Sequence, residues 1–225
     1  MIEISEKLRK LYPGALVGLL VMRGVRNPSH DEELDKLGSA VEARLREKYQ
    51  AIGKSALRTE PVLVAYENYY KPFRKTYHVT LQLESVIWKG RTIPSVSAIV
   101  KAMFMAELFN MLLTAGHDLG KIVLPLRLDV GRETETYMAL GNEQRLVKQG
   151  DMRISDASGV ISSIIGGPDQ RTAITADTRD LLFTVYAPPG IGEVLVRSHL
   201  GDVQRFVRTV APEARTDLLE THQTG

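Results

Sequence analysis

Residues 150–189 constrain the fold more than any other stretch, because short apolar runs are cut at close intervals by residues that make tight turns. Residues 152–154 form a brief alternating run closed by Asp156-Ala157-Ser158-Gly159, and residues 160–165 form a second that stops at Gly166-Gly167-Pro168. A polar arm follows, carrying Arg171, Thr172, Thr175, Asp177, Thr178 and Arg179, before a third apolar run over 181–186 ends at Pro188-Pro189-Gly190. Runs this short, bounded by Gly, Pro, Asp and Ser, predict strands joined by tight turns. Around a Gly-Gly turn and a hydroxyl-rich loop, such strands form a surface able to grip a polar ligand through backbone N–H groups.

Upstream the period changes. Residues 15–22, after Pro13-Gly14, predict a first strand. Residues 31–50 predict a charged helix with Leu34, Leu37, Val41 and Leu45 on one apolar stripe. Pro61 opens a second helix, and residues 77–88 predict a third that ends at Lys89-Gly90 with glycine as the C-cap. Pro94-Ser95 starts a long apolar helix to about Thr114, stopped by Gly116. Beyond Lys121, alternating runs over 122–130, 137–140 and 144–147 are punctuated by Gly131, Gly141-Asn142 and Gly150. A last helix over about 191–210 carries Val194, Leu195, His199, Val203, Phe206 and Val210, and the polar tail after about Pro212 is expected to fray. Helices first and strands second predict an α+β layout. The short connections and the lack of an internal repeat predict a single domain over 1–225.

Composition excludes more than it selects. A chain of 225 residues buries roughly 70% of its extended surface and needs no covalent or metal staple. There is no cysteine, which removes disulfides and thiolate metal sites, and the five histidines are scattered, so neither a metal nor another cofactor is expected. A formal charge of +2 leaves any nucleic-acid binding to local patches. The apolar run over 15–22 is closed by Arg23, and that over 93–113 is broken by Lys101 and Glu107. Neither suits a signal peptide or a membrane span, so a cytoplasmic protein without membrane contact is expected. Walker, HExxH, GxSxG and GxGxxG signatures are absent from the sequence.

Four groups of residues could carry chemistry. Gly116-His117-Asp118 sits where the apolar helix gives way to strands. A histidine beside an aspartate at an element end suits proton transfer or the binding of an ammonium or hydroxyl group, and equally suits a capping aspartate beside a half-buried histidine. Asn110, a lone amide in the apolar helix, faces a pocket or bonds a neighbouring backbone. Ser162 and Ser163 before Gly166-Gly167 let a ligand approach the backbone or make a hairpin turn. Lys71, Arg74 and Lys75, next to Tyr69, Tyr70, Phe73 and Tyr77, read as a basic patch with stacking groups, or as lysines snorkelling over aromatic rings.

With these placed, the order of elements resembles the editing domain (third and fourth B-domains) of the phenylalanyl-tRNA synthetase β subunit. The resemblance covers residues 94–189 and rests on three features. These are the apolar helix SVSAIVKAMFMAELFNMLLTAG leading to Asp118-Leu119, the small-small-apolar-apolar-Gly-Gly turn over 162–167, and the Thr-x-x-Thr-x-Asp-Thr-Arg-Asp-Leu-Leu arm over 172–182. Residues 14–90 look like the N-terminal part of free-standing versions of the module, and nothing resembles an aminoacylation core or an anticodon-binding domain. In the synthetases the module hydrolyses tyrosine wrongly attached to phenylalanine tRNA. Two positions depart from the family. Thr184 stands where the bacterial module has a substrate-contacting glutamate, and His117 aligns with an aromatic residue rather than with the pocket histidine.

The resemblance implies helices packed on a β-sandwich of unusual topology, and a partner in tRNA or aminoacyl-tRNA. The function is then either deacylation of misacylated tRNA in trans or, alternatively, non-catalytic binding of RNA or an amino-acid-like ligand. The implied catalytic residues are His117 and Asp118. The substrate residues are Asn110, Ser162, Ser163, Gly166, Gly167 and Thr184, with Lys71, Arg74 and Lys75 for RNA.

Overall fold

A computed structural model describes residues 2–224. In chain order the elements are β1 (Ile2–Ile4), α1 (Glu6–Leu11), β2 (Leu16–Arg23), α2 (Glu32–Tyr49), α3 (Gly53–Arg58), α4 (Pro61–Tyr70), α5 (His78–Lys89) and α6 (Ala98–Asn110). There follow β3 (Thr114–Asp118), β4 (Leu126–Val130), β5 (Thr136–Ala139), β6 (Glu143–Leu146), β7 (Met152–Asp156), β8 (Gly159–Ser163), β9 (Gly167–Pro168), β10 (Asp180–Ala187), α7 (Glu193–Val210) and β11 (Arg215–Gln223). Single 3-10 turns lie at Lys71–Phe73 and Leu119–Lys121. The protein is α+β.

The helices begin and end for local reasons. Asp31 caps α2 by accepting the Leu34 N–H at 3.0 Å, acids fill the first turn, and the Leu34, Val41 and Leu45 stripe is buried. Pro61 occupies the first turn of α4, where a missing N–H costs nothing. Gly90 ends α5 at φ 66°, a left-handed cap that glycine adopts without strain.

Strands β1-β4-β7-β8-β9 make one sheet, β11-β2-β10-β3 a second, and β5-β6 a separate hairpin. In the second sheet the faces of β10 divide by parity. Val185 lies beside Val196 and Leu200 of α7, which come within 3.3 Å of a Cβ placed on Gly18. Tyr186 points the other way, its hydroxyl 2.5 Å from Ser162 Oγ on β8. The second sheet is thus covered by α7 on one face and by the first sheet on the other, a helix-on-sandwich arrangement.

Four expectations from the sequence need correcting. The apolar helix stops at Asn110 rather than near Thr114, with Met111 left-handed at φ 62°. The Leu113 N–H then donates to Tyr66 Oη and the Thr114 N–H to Glu107 Oε2, so the chain turns and Gly116 falls inside a strand. The helix also starts late, at Ala98, because the Asn27 side chain accepts the Ile99 N–H from far along the chain. The tail expected to fray after Pro212 is β11, an edge strand paired antiparallel with β2. It is held at its end by Thr224, whose N–H donates to Ala15 O and whose hydroxyl donates to Tyr12 O. Val194, placed among the residues of the last helix, is 83% exposed, and the apolar face of α7 begins at Leu195.

Candidate functional site

A cavity of about 480 Å³ opens between α6, β3 and the turn that joins β8 to β9. Helix α6 contributes Val100, Met103, Phe104 and Glu107. Strand β3 contributes Thr114, Ala115 and Gly116, the turn contributes residues 163–168, and Tyr186 and Ile174 close the remaining sides. Val96, His78 and Leu140 lie exposed at the rim. The lining is largely apolar, with few polar groups placed in it, which is the make-up of a small-ligand pocket.

Strand β3 is an edge, and its register decides what it shows the cavity. Tyr186 N donates to Leu113 O, so in this antiparallel ladder Ala115 and His117 turn their backbone groups toward β10. Thr114, Gly116 and Asp118 turn theirs off the edge. Consistently, Thr114 N donates to Glu107 Oε2 at 3.0 Å and Asp118 N to Thr172 O at 2.7 Å. Gly116, between them, directs its N–H and C=O from the cavity wall. A Cβ there would sit 2.8 Å from Ile174 Cδ1 and 3.1 Å from Met103 Sδ, so only glycine keeps this side of the cavity open.

The opposite wall is the two-glycine turn. Gly166 N donates to Ser163 Oγ at 3.0 Å, Tyr137 Oη donates to Gly167 O at 2.8 Å, and the Arg145 guanidinium bonds Gly166 O. A Cβ on Gly166 would stand 2.7 Å from Ser163 Oγ and also crowd Tyr137 Oη. Gly166→Ala is therefore expected to lower stability by roughly 1 kcal/mol, the low end of overpacking costs because both crowded atoms are side-chain tips. Denaturant unfolding measures this, and unchanged stability would show that the turn yields freely.

The residues proposed from sequence separate into those at this cavity and those away from it. Ser163, Gly166 and Gly167 line it. Ser162 lies behind the wall, bonded to Tyr186 Oη. Thr184 is fully buried opposite Ala115, its hydroxyl without a partner, and does not border the cavity. Asn110 lies outside as well, its amide 3.0 Å from Asp202 Oδ2 and 3.3 Å from His199 Nδ1 on α7. Of its two sequence readings, hydrogen bonding within the fold is the one seen, with side chains as partners.

His117 and Asp118 are not among the lining residues either. His117 is fully buried on β3, not a half-buried loop residue. The Thr172 hydroxyl donates to Asp169, so the bond between His117 Nδ1 and Thr172 Oγ1 at 2.8 Å is donated by the histidine. Burial, with the nearby Arg171 guanidinium, pushes the His117 pKa down to about 3. A histidine that cannot take a proton at neutral pH makes a poor general base. Asp118 caps the turn Leu119–Lys121 by accepting the Gly120 N–H and also accepts from the Thr178 hydroxyl at 2.8 Å. Lys71, Arg74 and Lys75 are exposed together around a groove they share with Asn68 and Thr76.

Glu107 is the cavity residue that the sequence reading missed. Its signal was present, since it is the single acid in a helix whose neighbours are nearly all apolar. Burial pushes its carboxyl up to about 8. Asp151, also missed, anchors the wall from behind by accepting the Ile165 N–H at 3.0 Å and the Tyr69 hydroxyl at 2.6 Å. Among the described residues no group of three or more metal-ligating side chains occurs, and no helix is long and apolar enough to cross a membrane.

No family model matches the sequence, and no curated protein matches it either. Among solved structures the fold is similar to an N-terminal fragment of the phenylalanyl-tRNA synthetase β-subunit from Pyrococcus horikoshii. The two share 15% identity with a TM-score of 0.50. The match covers 98% of this chain and 53% of the other, so this chain spans about half of that fragment. At that identity the likeness is one of fold.

Proposed function

We propose that this chain binds the aminoacyl end of a tRNA and hydrolyses the ester of a wrongly attached amino acid in trans. The cavity carries this reading, because its volume of about 480 Å³ and apolar lining suit one amino-acid side chain with its ester group. The need for such a site is physical. A synthetase pocket rejects a close isostere of its amino acid by only about 10²-fold, and a second, hydrolytic site supplies the rest. In this reading Gly116 N–H is the donor best placed for an oxyanion, and rate enhancement comes from positioning a water rather than from a side-chain base. Ser163, Gly166 and Gly167 form the wall against the substrate. The Lys71, Arg74 and Lys75 cluster holds phosphates, and it precedes the rim residue His78 by only three residues, about 11 Å of chain at most.

The engagement of His117 and Asp118 in bonds away from the cavity favours a second reading, a module that binds the same ligand without hydrolysing it. A deacylation screen against a panel of mischarged tRNAs separates the two. Release of an amino acid from one member, with Gly116→Val abolishing it, supports the enzyme. Binding of tRNA or a free amino acid without hydrolysis leaves only the binding module.

The RNA surface has its own test. Each phosphate contact contributes about 0.7 to 0.9 log units of affinity per log unit of salt, so replacing Lys71, Arg74 and Lys75 together with Ala should lower the slope by roughly 2 to 3. Filter binding across salt concentrations reads it. An unchanged slope would clear this patch of any role.

A further inference from the structure

Glu107 is 1% exposed and borders the cavity. Its Oε2 accepts the Thr114 N–H at 3.0 Å, while its Oε1 has no hydrogen-bond partner. The groups around it are all neutral near pH 7. Tyr66, Tyr70 and Tyr77 approach from the α4–α5 side, with pKa values raised by burial. Across Thr114, whose hydroxyl is 2.7 Å from Nε2, stands His199 of α7, which burial pushes down to about 4. His78 lies at the exposed rim. No ion pair reaches Glu107 among the described residues.

A carboxylate buried without a counter-ion is far less stable than the neutral acid, so the side chain keeps its proton, as the upward shift to about 8 also indicates. Because Oε2 already accepts an N–H, the proton belongs on Oε1. A carboxylic acid held neutral in an apolar site is a hydrogen-bond donor. We infer that this O–H, without a partner inside the fold, is donated to a ligand reaching the α6 end of the cavity, and so selects one bearing an uncharged oxygen acceptor, such as a carbonyl, there. The inference rests on reading the cavity as a ligand site, and does not require that the ligand be carried by tRNA.

The test uses two probes of similar size, acetophenone and benzylammonium chloride, titrated into the full chain and followed through the amide NMR signals of Thr114, Gly116 and Gly167. At pH 6.5 acetophenone should bind at least about tenfold more tightly than benzylammonium, and should weaken about tenfold by pH 9 as Glu107 ionises. In Glu107→Gln, whose amide can both accept from Thr114 and donate to the ligand, acetophenone binding should persist and lose its pH dependence. In Glu107→Leu it should fall about tenfold. Preference for benzylammonium, with affinity rising with pH, would overturn the inference in favour of an anionic acceptor. Equal acetophenone binding by Glu107→Leu, or no binding of either probe to wild type, would also overturn it. Hydrolysis of a mischarged tRNA by Glu107→Leu at the wild-type rate would remove this inference and leave the proposed function standing. Probe binding as expected, without any tRNA binding, would do the reverse.

Discussion

Asp151→Ala is expected to cost about 3–5 kcal/mol of stability. Asp151 is fully buried between α4 and the cavity wall. It accepts the Tyr69 hydroxyl at 2.6 Å and the Ile165 N–H at 3.0 Å, and that same hydroxyl accepts the Met152 N–H at 2.6 Å. Alanine leaves two buried donors without acceptors, each costing roughly 1–3 kcal/mol, and adds a small void. Asp151→Asn should lose less, because one oxygen still accepts while the new amide faces an N–H. Denaturant unfolding at constant m-value measures the loss, and hydrogen exchange at Gly166 and Gly167 shows whether the wall loosens with it. A loss under about 1 kcal/mol would mean that water or a rearranged turn satisfies both donors, and that Asp151 does not hold the site.

Between roughly pH 7 and 8, wild-type stability is expected to fall by about 1 kcal/mol relative to that of Glu107→Gln. Burial raises the Glu107 carboxyl from an ordinary value near 4.5 to about 8. Over that interval the unfolded chain has released this proton and the folded chain still holds it. Raising the pH therefore favours unfolding until the folded pKa is reached. The upper part of the interval isolates the effect. Asp151, raised to about 6, acts in the same direction but is complete by then. His117 and His199, lowered to about 3 and about 4, act oppositely, costing stability as pH falls below about 6.5. Unfolding free energies at half-unit intervals would reveal the slope. A wild-type curve parallel to that of Glu107→Gln would place an ion or charged partner beside Glu107 and remove the basis for a neutral donor in the cavity.

Much of the fold could be read locally. Asp31 before an apolar stripe, Pro61, and Gly90 after Lys89 each mark a helix end through their own backbone preferences, and the structure places them there. The strands around Gly159 and Gly166-Gly167 follow from short alternating runs between turn residues. The tail was misread because a polar edge strand has no core-facing pattern. What orders β11 is the β2 backbone, which its sequence does not reveal.

The site divides the same way. Sequence alone determined that Ser163, Gly166 and Gly167 lie in a tight turn, since glycine and serine carry that geometry in themselves. Only the tertiary structure decided that His117 and Thr184 point into the interior, because a strand residue's face depends on the register between its strand and the neighbouring ones, here β3 and β10. It also made Glu107 the buried acid that borders the cavity. A lone acid in a helix is charged or neutral according to what surrounds it, and the surroundings here come from α4, α5, α7 and β3, elements that only folding brings together.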